Sequence, residues 1–252
     1  MAVKARKHQI ILSSSYSTHS RIGLDFVDDT RGFENAVGTI RGIYDGGRVP
    51  FSIHSIPTDS ESWESVVLKD PYFDDVRIIA SVEEFIGLVS RERYLKGMDV
   101  ARYILSKRRC TYSELQNLVY LCYADCLCEI GSPLFTDRIF ASGYGPVVET
   151  VYRRYVGGRL SGCYDIDPMK DNVRRRTKSD PMAIRSRLMF SEDGIRKTYS
   201  IDRTLERYEG YSAMRIADII RSTDFPWDRT EHIGGNDVIT DETIRKYHRN
   251  GV

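Results

Sequence analysis

A chain of 252 residues with 41 % hydrophobic and 29 % charged residues is long enough for two modest domains and has the composition of an ordinary globular protein. Its net charge of +1 combines an acidic surplus in residues 1–95 with a basic surplus in residues 96–252, and does not by itself indicate a nucleic-acid partner. No apolar run approaches the roughly 20 residues of a membrane span, and residues 9–15 are too short and serine-rich for a secretion signal, so we expect a cytoplasmic protein.

The cysteines predict neither a disulfide framework nor a metal site. Their number, five, is odd, and no secretion signal accompanies them. Cys122 and Cys126 would share one helix face, as two metal ligands can, but no histidine lies near them and the preceding residues 118–121 are apolar. We therefore expect no bound metal, and buried thiols that pack as small hydrophobic groups.

Residues 1–95 predict a small α+β domain. Its helices are expected at residues 32–44 and from Ser81 onward, where Ser81 is a candidate N-cap and Glu84 occupies the capping-box position. Residues 49–56 alternate apolar and polar side chains, which predicts a strand with one buried face. All the β-rich runs are short and end at turn residues; they are residues 9–12, 22–27, 49–56 and 76–80.

From residue 96 the pattern becomes helical. Residues 98–105 predict a short helix, and a longer one is expected to begin after Thr111, a candidate N-cap with Glu114 at the capping-box position. Gly131 and Pro133 are expected to end it. Its apolar residues recur at helical spacing on one face, namely Leu115, Leu118, Val119, Cys122, Tyr123 and Cys126.

The remainder of the chain predicts further helices around a polar connection. A helix is expected at residues 146–155, with Pro146 in its first turn. Residues 169–188 predict the connection, whose basic loop consists of Arg174, Arg175, Arg176 and Lys178. Helices are then expected at residues 201–208 and 212–221. A turn is expected at residues 225–227, and a last helix at residues 241–250.

Residues 96–252 contain a series of short motifs in a fixed order. They are S-E-L-Q-N-L-V-Y at residues 113–120, S-P-L-F at 132–135, Y-G-P-V-V at 144–148 and V-Y at 151–152, followed by landmarks at residues 188–191, 211–213, 225–227 and 239–247. This series resembles the Panacea domain of SocA-like antitoxins and phage-associated GepA-type proteins, in which a helix reading L-Q-K-L-L-Y precedes P-L-F, then W-x-Y-G-P-V-V and V-Y. Asn117, Val119 and the pair Ser142-Gly143 depart from the family pattern. The resemblance implies a mainly α-helical Panacea domain at residues 96–252 after an accessory α+β domain at residues 1–95.

The resemblance also implies a function. Such proteins neutralise a cognate protein toxin by direct binding in toxin–antitoxin systems, including systems of phage defence, and at least one delivers its toxin to a cytosolic protease. The chain is accordingly expected to be a binding protein, with neither a catalytic site nor a cofactor. We expect the toxin-contact surface to be shaped by Leu115, Gln116, Tyr144, Gly145, Pro146, Val147, Tyr152 and Trp227.

Those residues also have a purely structural interpretation. Gly145 and Pro146 suit a joint between a loop and a helix, with Val147 and Tyr152 buried beside it. Trp227 is either an interface anchor or a side chain that fills the core. For the basic loop three hypotheses stand: a solvated connection, a contact for an acidic toxin, or a nucleic-acid contact.

Two other functions remain open at this stage. The chain is a nucleic-acid-binding regulator of its own operon if the basic loop contacts DNA. Alternatively, residues 1–95 are a toxin or effector fused to its own antitoxin domain. Catalytic patterns are sparse: the histidines are scattered, and Asp28-Asp29 and Asp74-Asp75 would point to opposite faces of a strand. Residues 42–47 carry no lysine after their glycines, so no phosphate-binding loop is indicated.

Overall fold

A computed structural model describes most of the chain and divides it into two units, Met1–Arg93 and Tyr94–Val252. The predicted division lies two residues later. The described residues are 5–15, 20–43, 51–156, 180–230 and 237–248.

The N-terminal unit is a four-stranded sheet with helices on both faces. The strands are ordered β3-β1-β2-β4, with β1 antiparallel to β2 and β3, and β2 parallel to β4. In chain order the elements are β1 (Arg6–Ser15), β2 (Ser20–Val27), α1 (Thr30–Ile43), β3 (Ser52–Thr58), α2 (Trp63–Lys69), a 3₁₀ turn (Pro71–Phe73), β4 (Val76–Ile78) and α3 (Val82–Arg93).

Strand β1 is buried on both faces, which explains its continuous apolar run. Ile11 packs with α1 and α3 on one face, whereas Ile10 and Leu12 pack with Val66 of α2 and with Phe73 on the other. Because successive side chains of a strand point to opposite faces, only a strand covered on both sides reads as an unbroken apolar segment.

The prediction that a strand at residues 49–56 has one buried face is wrong. Strand β3 forms an edge of the sheet, and its Ile53 side chain is 44 % exposed. Helices α1 and α3 pack on β1 and β2, so they leave the outer part of β3 uncovered. Residues 49 and 50 lie outside the described part of the chain. Helix α2 and the 3₁₀ turn were not predicted.

A buried polar pair ties β1 to β2. The His8 ring is fully buried, with Nδ1 2.7 Å from Oδ2 of Asp25 and Nε2 3.0 Å from the carbonyl oxygen of Ser60. Burial raises the pKa of Asp25 and outweighs the opposing effect of the contact with His8. Both ring nitrogens face acceptors inside the unit, so the pair serves to hold the strands.

The C-terminal unit is mainly helical, and the predicted fold class is confirmed. None of the described helices is long and apolar enough to cross a membrane. In chain order the elements are α4 (Gly97–Lys107), α5 (Tyr112–Ile130), β5 (Ile139–Ser142), β6 (Gly145–Val148), α6 (Glu149–Tyr155), α7 (Pro181–Met189), α8 (Gly194–Arg207), α9 (Ala213–Ile220), α10 (Pro226–Thr230) and α11 (Asp241–Tyr247).

Helix α5 forms the centre of this unit and packs against α4, α8, α9, α11 and β6. Its ends are as predicted: the Thr111 hydroxyl accepts from the Glu114 amide at 3.2 Å, and Gly131 ends the helix with a φ of 85°. Burial, however, covers nearly the whole circumference from Leu115 to Leu127 rather than one stripe. A helix surrounded by neighbours has no solvent face.

Several predicted boundaries in this unit are wrong. Residues 145–148 form strand β6 of a hairpin with β5, and the following helix begins at Glu149, not at Pro146. Helix α7 occupies the end of the supposed polar connection, with Asp180 accepting from the amides of Met182 and Ala183. Helix α8 begins seven residues before the predicted residue 201. Two of the three residues of the predicted turn at 225–227 are the first residues of α10.

Candidate functional site

The hairpin of β5 and β6 is fixed to α5 by Gln116. Its side-chain oxygen accepts from the Val148 amide at 2.9 Å, and its amide group donates to the Tyr112 hydroxyl at 2.7 Å. Gln116 is only 3 % exposed, so both hydrogen bonds are buried and satisfy groups that would otherwise be costly to bury. The glutamine of the L-Q motif is therefore a structural link between helix and hairpin.

The turn of the hairpin depends on Gly145 and Trp227. Gly145 has a φ of 131°, a conformation that side chains disfavour. The Ser142 hydroxyl donates to the Gly145 carbonyl at 2.9 Å, and the Trp227 indole donates to the Ser142 carbonyl at 2.8 Å. The Y-G-P and P-W motifs, more than 80 residues apart in sequence, thus form one structural joint.

Most of the predicted contact residues consequently lie in the core. The exception is Tyr144 in the hairpin turn, whose side chain is 41 % exposed. The other predicted residues are buried; they are Leu115, Gln116, Gly145, Pro146, Val147, Tyr152 and Trp227. Their part in shaping a toxin-contact surface stays a prediction. The basic loop residues Arg174, Arg175, Arg176 and Lys178 lie outside the described residues.

A buried carboxylate holds three elements of this unit together. Asp125 of α5 is fully buried and accepts from the Thr204 hydroxyl and the Arg207 guanidinium of α8, both at 2.8 Å. Its other oxygen lies 2.6 Å from Nε2 of His248, the residue after α11. Sequence analysis missed this cluster because its members are separated by up to 123 residues.

Helix α11 is held at two further points. The Tyr123 hydroxyl donates to Asp241 at 2.6 Å, and Arg245 donates to the Gly131 carbonyl at 3.1 Å. Burial raises the pKa of Tyr123 far above its usual value, and the hydrogen bond to Asp241 adds to that effect. Together with the contact of His248, these hydrogen bonds hold both ends of α11 against α5 and against Gly131, the residue that ends α5.

A positively charged surface lies beside the hairpin. We call it the arginine face and define it by Arg138, Arg153 and Arg154, with the rings of Phe140 and Tyr155 behind them. Arg138 and Arg153 bind the same carboxylate, that of Glu149, at 3.2 and 2.5 Å. The two partners lie 11 and 4 residues from Glu149, and only the second spacing is a recognised helical pair.

Cys122 and Cys126 are buried, as predicted for core thiols, and so is Cys110, whereas Cys128 is partly exposed. Cys163 lies outside the described residues. Burial raises the pKa of Cys126 to about 12 and that of Cys122 well above its usual value. Because the thiolate is the reactive form, both should resist alkylation.

Alkylation of the native protein with iodoacetamide is therefore expected to modify Cys128 well before the three buried thiols, as measured by mass spectrometry of the peptides. The same reaction in denaturant is the control and should modify all five cysteines of the chain at similar rates. Rapid native modification of Cys122 would contradict the packing around α5.

The comparisons with known proteins concern this unit. Residues 115–228 match the family model described as "Antitoxin SocA-like, Panacea domain", just under half of the chain, from α5 into α10. No curated protein and no solved structure matches the chain significantly. The resemblance carried by the sequence motifs is confirmed. The C-terminal unit of this chain contains a Panacea domain of the SocA-like antitoxin type, and this domain supports an antitoxin-type role.

Proposed function

We propose that this chain is an antitoxin that neutralises a cognate protein toxin in the cytoplasm by binding it directly, without catalytic turnover. The match of residues 115–228 to the Panacea domain carries this proposal. The matched segment contains the central helix α5, the β5–β6 hairpin and helices α8 and α9, which are the elements that organise the unit around one core.

The packing of this unit suits recognition by a preformed surface. Gln116, Trp227 and Asp125 each join elements that are distant in sequence. A surface on such a scaffold loses little conformational entropy when a partner binds. Sequestration of the toxin and its delivery to a cytosolic protease both begin with the same contact, so the proposal covers either outcome for the bound toxin.

Co-expression tests the proposal. The product of the reading frame adjacent to this chain's gene is induced alone or together with the full chain, and growth and co-purification are measured. Restored growth together with a stable complex is the expected result. Unchanged lethality in the presence of the folded full chain would overturn the proposal.

The same experiment separates the alternatives. Full-length Asp125→Ala, in which the C-terminal unit loses a buried anchor, should no longer restore growth. If this variant inhibited growth when expressed by itself, the N-terminal unit would be an effector held in check by the domain that follows it. A shift of promoter DNA by the wild-type chain, without any complex with the adjacent product, would favour the autoregulator instead.

A further inference from the structure

Two exposed guanidinium groups cover one nearly buried carboxylate on the arginine face. The side chains of Arg138 and Arg153 are 61 % and 57 % exposed, whereas that of Glu149 is 12 % exposed. The negative charge therefore lies beneath the two positive charges. A partner that approaches this face meets the guanidinium groups first.

Arg154 adds a third positive charge. Its side chain is exposed, and it forms no ion pair with any residue that the structure describes. Arg138, Arg153 and Arg154 outnumber the two carboxylates of this part of the chain, Glu149 and its neighbour Asp137, so a local surplus of positive charge remains. Such a surplus attracts an acidic surface over distances of about 10 Å at ordinary ionic strength.

Aromatic rings lie behind these arginines. The guanidinium carbon of Arg138 lies 5.2 Å from the centre of the Phe140 ring, and that of Arg154 lies 6.0 Å from the centre of the Tyr155 ring. Phe140 belongs to a separate apolar cluster with Tyr112, Val147 and Tyr152, against which Tyr155 packs. Arginine and tyrosine are enriched among residues that dominate binding energy at protein interfaces.

We propose that the arginine face docks an acidic segment of the partner protein, whose carboxylates pair with Arg153 and Arg154 while an apolar side chain contacts the ring of Tyr155. This inference rests on the proposed function and adds the chemistry of the partner. Paired carboxylates suit the planar fork of a guanidinium, which binds them through two hydrogen bonds.

The arrangement favours a protein partner over nucleic acid. Arg138 and Arg153 are gathered around one carboxylate, so the positive charge forms a compact patch. Binding to a DNA backbone relies on many phosphate contacts along the duplex. A compact patch with aromatic rings at its base matches the charged and aromatic anchors of a protein interface.

The test uses the full chain and the purified product of the adjacent reading frame. In Arg153→Glu/Arg154→Glu both charges are reversed; the control, Arg196→Glu/Arg215→Glu, changes the net charge equally at exposed positions on α8 and α9. The association rate is measured at low and high salt, and growth rescue is measured in cells. We expect the first variant to associate about tenfold or more slowly at low salt, with a weaker salt dependence, and the control to match the wild type.

Each result bears on a different claim. Wild-type association by the arginine variant, while the wild-type chain neutralises the toxin, overturns the docking site and leaves the proposed function intact. A wild-type chain that neither binds nor neutralises the adjacent product overturns both. Loss of promoter-DNA binding in the arginine variant, with toxin binding unchanged, overturns the docking site in favour of a nucleic-acid contact. If thermal unfolding shows that the reversal perturbs the fold, Arg153→Gln/Arg154→Gln is compared in the same way.

Discussion

Replacement of Asp125 by alanine is expected to lower the free energy of unfolding of the C-terminal unit by about 3–5 kcal/mol, the usual cost of removing one partner from a buried charged cluster. The carboxylate is fully buried and accepts hydrogen bonds from Thr204, Arg207 and His248. Without it, Nε2 of His248 remains buried with no partner at that position, while the Thr204 hydroxyl keeps only the Ser200 carbonyl at 3.1 Å. In addition, α8 and the end of α11 lose their common link to α5.

The two tryptophans allow this loss to be assigned to one unit. Trp63 lies in α2 and Trp227 in α10, so a Trp63→Phe background leaves Trp227 as the sole tryptophan reporter of the C-terminal unit. Urea unfolding followed by fluorescence of Trp227 then gives the free energy with and without Asp125. A change below about 1 kcal/mol would show that the cluster is not a structural anchor.

Two further variants test whether the loss of stability comes from the buried cluster. Asp218→Ala is the matched control, because Asp218 is 68 % exposed on α9 and, among the described residues, pairs with Arg221 alone at 3.5 Å. An exposed pair of this kind contributes about 0–1 kcal/mol. In the double variant Asp125→Ala/His248→Ala, the loss of unfolding free energy should be smaller than the sum of the two single losses. The reason is that His248 contacts Asp125, so removing either residue already breaks their hydrogen bond.

The Asp125 cluster also marks a limit of inference from sequence. Local signals were read correctly where they involve neighbouring residues: Ser81 caps α3 and Thr111 caps α5, each by accepting from an amide three residues later. Asp125 and His248 are 123 residues apart. Nothing in the sequence around Asp125 reveals that its partners come from α8 and from the end of the chain.

That the motif residues shape a toxin-contact surface stays a prediction, whereas the helix predicted to begin at Pro146 is wrong. The pattern around Gly145 and Pro146 suits a helix start as well as a strand, because glycine followed by proline restricts the backbone without determining which of the two follows. Pairing with β5 decides in favour of the strand. Motif residues such as Gln116 and Trp227 prove to be links between elements of the domain that are distant in sequence.

Substitution of Gly194 by alanine is expected to destabilise the C-terminal unit by about 3 kcal/mol, at the upper end of the usual cost of overpacking. Gly194 is the first residue of α8, and a Cβ atom there would lie 2.6 Å from the carbonyl oxygen of Met189 and closer still to that of Leu188. Both are backbone atoms, which cannot rotate away as the end of a long side chain can.

The connection between α7 and α8 has little freedom to relax. The Leu188 carbonyl accepts from the amide and the hydroxyl of Ser191 at 3.1 and 2.7 Å, and the Gly194 amide donates to the Ser191 carbonyl at 2.9 Å. Asp193 has a φ of 53°, so the backbone already occupies an uncommon conformation just before the glycine. Any shift that admits a methyl group must disturb these hydrogen bonds or separate the two helices.

Gly87→Ala provides the contrasting measurement. Gly87 lies in the interior of α3, and a Cβ atom there would meet nothing within 4 Å. Alanine at that position should stabilise the N-terminal unit by about 0.5–1 kcal/mol, because alanine has the higher helix propensity. Urea unfolding with Trp227 as reporter for Gly194→Ala, and with Trp63 for Gly87→Ala, should thus give shifts of opposite sign. A Gly194→Ala protein as stable as the wild type would mean that α7 and α8 do not approach as closely as their backbone contacts require.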